Sequence, residues 1–215
     1  MLFLDFLYYT TIFCAADYTL TRIRAKNPYY LIHSIHNAFI VYYTWSDIVN
    51  TFINFQHLPT FASNYAAAVL CFALHVYHII MYWRAFRFDD WLHHIVMIAV
   101  ALPLGVLLPS STLLGFSLFF TTGLPGGIDY FMLYLVRNGI LMRIREKQVN
   151  TFLNVWIRGP GCVAQATITF VYLLSYGRSL HPAVFWLACI PPITNYWNGI
   201  YFMEQVVVDL ARQPL

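Results

Sequence analysis

Six histidines in three consecutive apolar stretches are the residues of this chain best suited to chemistry. They are His33, His36, His75, His78, His93 and His94. The first four form two pairs with three-residue spacing, so each pair shares one face of a helix. Imidazole can act as a general base, a nucleophile or a metal ligand. The pattern leaves three interpretations open: interhelical hydrogen bonds, a metal centre, or a base or nucleophile that acts on a bound molecule.

The elements that must position these histidines are predicted to be membrane helices. The chain is 60% hydrophobic and 10% charged, whereas a soluble domain has about 25% charged residues to coat its surface. A transmembrane helix needs about 20 mostly apolar residues. Seven stretches fit this length: 2–20, 29–53, 63–83, 91–108, 112–141, 149–176 and 183–208. We therefore predict an all-α, polytopic membrane protein of about seven transmembrane helices.

The basic residues predict the orientation of these helices. Seven spans place nearly all loop cations on one side: Arg22, Arg24, Lys26, Arg84, Arg87, Arg143, Arg145, Lys147 and Arg212. The other side carries Arg178. Cytoplasmic loops are enriched in Lys and Arg. We therefore expect a lumenal or outer N-terminus and a cytosolic or matrix C-terminus, in the endoplasmic reticulum or an organellar inner membrane.

This orientation brings all six histidines to the basic side of the membrane. Spans two and four leave that side and span three returns to it, so a rise of 1.5 Å per residue puts the imidazoles within roughly 5–15 Å of one face. An ionisable group inside a bilayer costs at least about 2.5–3.5 kcal/mol, which makes each one a functional candidate. Arg158 lies inside span six and needs a partner or a wet cavity for the same reason.

One carboxylate, Asp129, follows the sequence Pro125-Gly126-Gly127-Ile128 inside span five. A helix interrupted by Gly and Pro exposes backbone groups that membranes tolerate only against protein or a watery cavity. We therefore predict that Asp129 lines a cavity, or that it caps the restarted half-helix. Asp47 and Glu204 are candidate partners for Arg158 or for a histidine.

Three segments of the chain resemble the TLC-domain family, which includes translocating-chain-associating proteins, ceramide synthases and ceroid-lipofuscinosis proteins. Phe88-Asp-Asp-Trp-Leu-His-His-Ile-Val-Met97 resembles the polar turn that leads into a His-His helix. Ile128-Asp-Tyr-Phe-Met-Leu133 is similar to the Ala-Asp-Tyr-Leu-Leu stretch of ceramide synthases. His75-Val-Tyr-His78 falls where many members have Tyr-Asp. The resemblance covers residues 25–210.

This resemblance implies six helices around a lipid cavity over residues 25–210, a peripheral first helix over 1–24 and a short tail over 211–215. In ceramide synthases the paired histidines and following aspartates transfer an acyl group from acyl-CoA to a sphingoid amine, and the matching residues are His93, His94 and Asp129. The remaining polar cluster in the lipid cavity comprises His33, His36, His75, His78 and Arg158. Two departures weaken the match to the enzymes: Pro125-Gly126 replaces His-Asp, and His78 replaces the Asp after Tyr.

We therefore expect a TLC-type membrane protein that holds a lipid or acyl chain without ceramide synthase turnover. One alternative is an N-acyltransferase with acyl-CoA as co-substrate, and another is a structural subunit of a respiratory or photosynthetic membrane complex, so whether the chain is an enzyme stays open. No resident cofactor or metal is expected, because the HxxH, HxxH and HH pattern differs from the HxxxH and HxxHH boxes of membrane di-iron enzymes. The expected partners are membrane lipids, and nucleic acid is not among them, because the cations form no continuous stripe.

Overall fold

Helices account for all the regular structure in the residues that the computed structural model describes, which are 2–61 and 63–213 without the side chains of Pro59, Asp89 and Arg178. They form seven helical rods. Rods 1, 2 and 3 are Leu2–Arg22, Pro28–Ile53 and Ala66–Tyr82, the last extended by a short 3-10 helix, Trp83–Ala85. The prediction of an all-α chain with seven helices is confirmed.

Rods 4, 5 and 6 each contain a π-turn, and rod 7 contains a short irregular joint. Rod 4 joins Phe88–Val96, the π-turn Met97–Ala101 and Leu102–Gly105. Rod 5 joins Ser111–Leu118, the π-turn Phe119–Gly123 and Leu124–Arg137. Rod 6 joins Arg143–Leu153, the π-turn Asn154–Arg158 and Gly159–Tyr176. Rod 7 joins Pro182–Ala188 and Ile190–Ala211, and short 3-10 helices lie at Phe55–Thr60 and Gly177–Ser179.

Each π-turn is explained by a proline two residues after its end: Pro103, Pro125 and Pro160. Proline lacks an N–H, and its ring clashes with the carbonyl four residues earlier. In all three rods that carbonyl belongs to the middle residue of the π-turn, where the extra residue widens the helix. The helix therefore continues through the interruption predicted at 123–127.

Close approach of the rods depends on glycines at specific contacts. A Cβ on Gly126 would lie 2.8 Å from Asn37 Nδ2 of rod 2, and one on Gly161 would lie 2.1 Å from Phe120 Cδ1 of rod 5. Ser34 Oγ donates to the Gly127 carbonyl across the same rod 2–rod 5 contact, at 3.1 Å. Small residues let helix backbones pack closely. The Gly126-Gly127 pair therefore serves the packing of rod 5 on rod 2.

The surface of the bundle is apolar along every rod. Large exposed side chains include Phe3, Phe39, Trp45, Trp156 and Trp186, of which Trp186 is 69% exposed. Taken singly, one helix among the described residues, Ala66–Ala85, is long and apolar enough to cross a membrane, and Asp90–Gly105 is a shorter apolar helix. Exposed arginines gather at one end of the rods: Arg22, Arg24, Arg84, Arg87, Arg143, Arg145 and Arg212.

Candidate functional site: the histidine cluster

The six histidines of rods 2, 3 and 4 meet at the basic end of the bundle and form what we call the histidine cluster. Its members are His33, His36, His75, His78, His93 and His94. The imidazoles of rods 3 and 4 touch directly, with 3.3 Å between His75 Nε2 and His93 Nε2 and 3.1 Å between His78 Nδ1 and His94 Nε2. Five of the six side chains are buried, whereas His93 is exposed.

Backbone carbonyls fix the orientation of two of these rings. His75 Nδ1 lies 2.6 Å from the Cys71 carbonyl oxygen, and His94 Nδ1 lies 2.7 Å from the Asp90 carbonyl oxygen. A carbonyl can only accept, so both Nδ1 atoms carry hydrogen. In a neutral imidazole the Nε2 atom is then an acceptor. The group that orients His94 is thus the Asp90 backbone.

The direction of donation between the rings follows from this assignment. His93 donates through Nε2 to His75, and His78 donates through Nδ1 to His94. Among the four rings of rods 3 and 4, two lone pairs remain, one on His93 Nδ1 and one on His78 Nε2. The His78 Nε2 atom is buried without a hydrogen-bond partner, whereas His93 Nδ1 belongs to the exposed ring. Rods 3 and 4 therefore offer two basic nitrogens with different access to solvent.

Flat rings support the cluster from rods 2 and 5. His33 stacks on His78 with 4.3 Å between centroids and an interplanar angle of 11°. Tyr130 stacks on the other side of His33 at 4.2 Å, and Tyr29 packs against His33 at 4.1 Å. The His33 Nδ1 atom also donates to the Tyr29 carbonyl at 2.8 Å. These contacts tie three rods together at the level of the imidazoles.

Asp129, the third predicted catalytic residue, belongs to a second polar group on rods 5, 6 and 7. Its carboxyl group lies close to the carboxyl of Glu146, and one of its oxygens, Oδ1, is buried without a hydrogen-bond partner. Glu146 is only 1% exposed and was not singled out by the sequence. Tyr130, the next residue, links this group to His33. The structure thus places Asp129 beside another carboxyl rather than on an imidazole.

Arg158 finds its partners on rod 7. Its Nη2 donates to Asn198 Oδ1 at 2.8 Å, and its guanidinium lies over the Phe202 ring at 4.4 Å. Neither of the two carboxylates predicted as candidate partners is the partner of Arg158. Glu204 is exposed, and the Asp47 carboxyl packs against rod 5 at Gly115. An amide and an aromatic face therefore accommodate this cation between rods 6 and 7.

An ion pair links the start of rod 6 to the end of rod 7. Lys147 Nζ lies 2.9 Å from Asp209 Oδ2 and 3.5 Å from Glu146 Oε2. Burial by itself lowers the pKa of Lys147, but the hydrogen bond to Asp209 and the charges of both acids outweigh it, so the pKa is raised. The lysine therefore stays charged in this position.

Rod 1 contributes a residue that our sequence reasoning missed. Asp17 is 2% exposed and accepts hydrogen bonds from the hydroxyls of Tyr77 and Tyr82 on rod 3. It lies inside the predicted first span, so the rule that identified Arg158 would also have identified it. Phe13, one turn earlier, packs edge-on against His36 at 5.8 Å. Rod 1 thus reaches the histidine cluster at two points.

An apolar groove lies at the opposite end of rods 1 and 3, and we call it the outer groove. Its volume is about 280 Å³, and its lining is Leu2, Phe3, Phe6, Tyr65, Ala68, Val69, Phe72 and Val106. A second pocket of about 300 Å³ follows the end of rod 2 over residues 52–57. Neither is lined by a cluster histidine or by Asp129. Within the described ranges, no group of three or more His, Cys, Asp or Glu side chains is arranged to hold a metal ion.

Comparison of the chain with protein-family models, with curated proteins and with solved structures finds no match.

Proposed function

We propose that this chain is a multi-pass membrane protein of TLC type that binds a lipid acyl chain and holds its histidine cluster near the headgroups of the cytosolic or matrix leaflet. The observation that carries the proposal is the surface of the bundle, which is apolar along all seven rods and bears its exposed arginines at one end. Soluble monomers rarely expose contiguous apolar patches of more than a few hundred Å². Hydrocarbon is the solvent that suits such a surface.

Placement in a bilayer gives each end of the bundle a distinct environment. Arginines at rod ends reach the headgroups while their stems stay against the apolar surface. The histidine cluster then lies just beneath these arginines, and the outer groove lies in the opposite leaflet. Rods 1 and 2 have lengths suited to this arrangement, since rod 2 spans 26 residues and rod 1 spans 21, against about 20 needed.

The outer groove supports the choice of an acyl chain as the ligand. Its lining residues are apolar apart from the Tyr65 hydroxyl, so the groove offers almost no hydrogen bonds to a polar molecule. Three of these residues, Leu2, Phe3 and Val106, are also exposed on the surface that would face hydrocarbon. An acyl chain of the leaflet can enter this groove without meeting water, and van der Waals packing against the lining side chains holds its methylene groups there.

The packing of the histidine cluster favours binding over turnover. Five of its imidazoles are buried, and the rings contact one another and neighbouring tyrosines, whereas the outer groove and the pocket over residues 52–57 are lined by other side chains. Such a cluster fixes the helices at the leaflet surface and leaves His93 as its exposed member.

Lipid binding is tested by native mass spectrometry of the detergent-purified chain. We expect bound lipid on the wild-type protein. Ala68→Leu, which narrows the outer groove, should reduce the bound fraction at least severalfold, because the added carbons occupy the space of the acyl chain. Ala38→Leu is the matched control, since Ala38 is exposed on rod 2 outside the groove. Equal lipid occupancy in all three proteins would contradict the proposal, and co-purification with a defined complex would support the structural-subunit alternative.

A second candidate function, acyl-CoA-dependent N-acyl transfer, is favoured by one observation. The exposed His93 carries a lone pair on Nδ1 while its Nε2 is held by His75, which suits a positioned general base. Labelled acyl-CoA with an amine acceptor should then give product that His93→Ala abolishes and His181→Ala leaves unchanged, because His181 lies at the other end of the bundle. No product with wild-type protein would exclude this activity under the conditions used.

A further inference from the structure

The buried carboxyl of Asp17 connects rod 1 to rod 3 through two hydrogen bonds. It receives hydrogen bonds from Tyr77 and Tyr82 on one oxygen and from Thr21 Oγ1 on the other, at 3.2 Å. Its side chain has no cation within ion-pair distance among the described residues. The carboxyl therefore depends on hydroxyl donors for its burial.

Removal of this acceptor would take the shared hydrogen-bond partner away from two tyrosine hydroxyls. A buried polar group without a hydrogen bond has lost its contacts with water and has no protein partner to replace them, which costs free energy. Tyr77 is fully buried, so its hydroxyl has no route to water unless the rods separate. The positions of both tyrosine rings are thus coupled to the presence of an acceptor at position 17.

Both tyrosines continue into the histidine cluster. Tyr77 packs against the neighbouring His78 ring, with 5.1 Å between centroids. Tyr82 meets Tyr29 edge-on at 5.1 Å, and Tyr29 in turn lies 4.1 Å from His33. The two routes from Asp17 therefore end on the two stacked imidazoles of the cluster.

We infer that Asp17 is a positioning residue for the histidine cluster: it holds Tyr77 and Tyr82 in place, and these tyrosines hold the stacked pair His33 and His78. Rod 1 is accordingly part of the site. This inference deepens the proposed function and rests on it for the role of the histidine cluster. The geometry that it describes can be measured without any lipid.

The measurement is a ¹⁵N NMR spectrum of histidine-labelled protein in detergent. Asp17→Leu keeps a side chain of similar size but has no acceptor, so the His33 and His78 ring signals should leave their wild-type positions. Asp17→Asn keeps an oxygen that can accept both tyrosine hydroxyls, so the wild-type positions should return. Asp5→Asn is the matched control on the same rod, since Asp5 takes part in no side-chain hydrogen bond of the described residues, and its spectrum should equal that of wild type.

Tyr82→Phe gives a second route to the same answer if Asp17→Leu fails to fold, which circular dichroism would reveal. It removes the hydrogen bond by which Asp17 holds the Tyr82 ring against Tyr29 and changes nothing else in the side chain, so the His33 signal should shift while helicity is retained. Unchanged His33 and His78 signals in a folded Asp17→Leu or in Tyr82→Phe would overturn the inference. Equal shifts in Asp17→Asn and Asp17→Leu would also overturn it, because charge and not hydrogen bonding would then matter.

The two proposals can fail separately. Purified protein without bound lipid, but with the expected shifts in Asp17→Leu, would remove the proposed function and leave the positioning role. Bound lipid together with an insensitive histidine spectrum would do the reverse.

Discussion

Two side chains of the histidine cluster differ sharply in solvent exposure although they are neighbours in the sequence. His93 and His94 are consecutive residues of rod 4, yet His94 is 5% exposed and His93 is exposed. His94 uses both ring nitrogens in hydrogen bonds to Asp90 and His78. His93 uses one, toward His75. Adjacent imidazoles therefore have different chemical reactivity.

Diethyl pyrocarbonate should modify His93 faster than the other five histidines of the cluster. The reagent acts on an accessible lone pair, which His93 presents on Nδ1 and the buried rings do not. Peptide mass spectrometry of the solubilised protein would measure the rates at each site. The exposed residues His57 and His181 serve as references outside the cluster. Modification of His94 at the rate of His93 would contradict the assigned geometry.

Sequence reasoning identified the six histidines but not the residues that hold them. Their shared depth followed from helix rise and span direction, which need no side-chain detail. The tyrosine contacts of Asp17 and the nearness of Asp129 to Glu146 depend on helix rotation, which the spacing of residues along the chain does not determine. The charged residues within the predicted spans were nevertheless visible, and Asp17 was one of them.

At the level of elements, the contact between rods 5 and 6 depends on a single missing methyl group. Gly161 leaves no room for a Cβ, which would lie 2.1 Å from Phe120 Cδ1 and 2.3 Å from Phe120 Cγ. Rotation of the ring about its own axis does not move Cγ, so the clash cannot be relieved in that way. The two rods must separate, or the phenylalanine must change rotamer.

Gly161→Ala should destabilise the bundle by about 1–3 kcal/mol, the usual cost of overpacking a close contact. Denaturation in mixed detergent micelles would measure the loss. Gly161→Ala should cost much less in a Phe120→Ala background, because alanine lacks the Cγ and Cδ1 atoms that clash, and the double-mutant cycle isolates this pair. Additive effects of the two substitutions would indicate that the contact does not form.

The helical rods were more predictable than their joints. Apolar length and the basic loops predicted seven helices, and their ends differ from those of the rods by a few residues, as at rod 6, which begins at Arg143 rather than 149. Proline and glycine predicted an irregularity in the helix of rod 5, but they did not specify that it would be a π-turn. Either a kink or a widened π-turn can relieve the clash between the proline ring and the carbonyl four residues earlier. The close packing of Gly126 against Asn37 favours the continuous helix.

At the scale of the whole molecule, charge separates the two ends of the bundle. Arg145 is exposed at the end that carries the other exposed arginines, and Ser179 is exposed at the opposite end. If the bundle spans a membrane, these two positions lie on different sides of it. The surface between them is apolar, in keeping with the low share of charged residues in the chain.

Membrane-impermeant maleimide tests this separation in sealed vesicles with the cytosolic side outward. Arg145→Cys should be labelled in intact vesicles, whereas Ser179→Cys should be labelled only after detergent is added. The unsubstituted chain gives the background, because Cys71, Cys162 and Cys189 are buried and Cys14 is half-buried. Labelling of both variants in intact vesicles, or release of the chain by alkaline carbonate, would contradict the membrane placement.

The two imidazole contacts between rods 3 and 4 also determine how this end of the bundle could come apart. Both contacts come from one helical turn of rod 4. Among the described side chains of Phe88–Val96, only that of His94 is buried. A tilt of that turn away from rod 3 would break both contacts together, because consecutive residues of a rigid helix move as one body. The two imidazole pairs would therefore be lost together in such a movement, although each joins a different residue of rod 3.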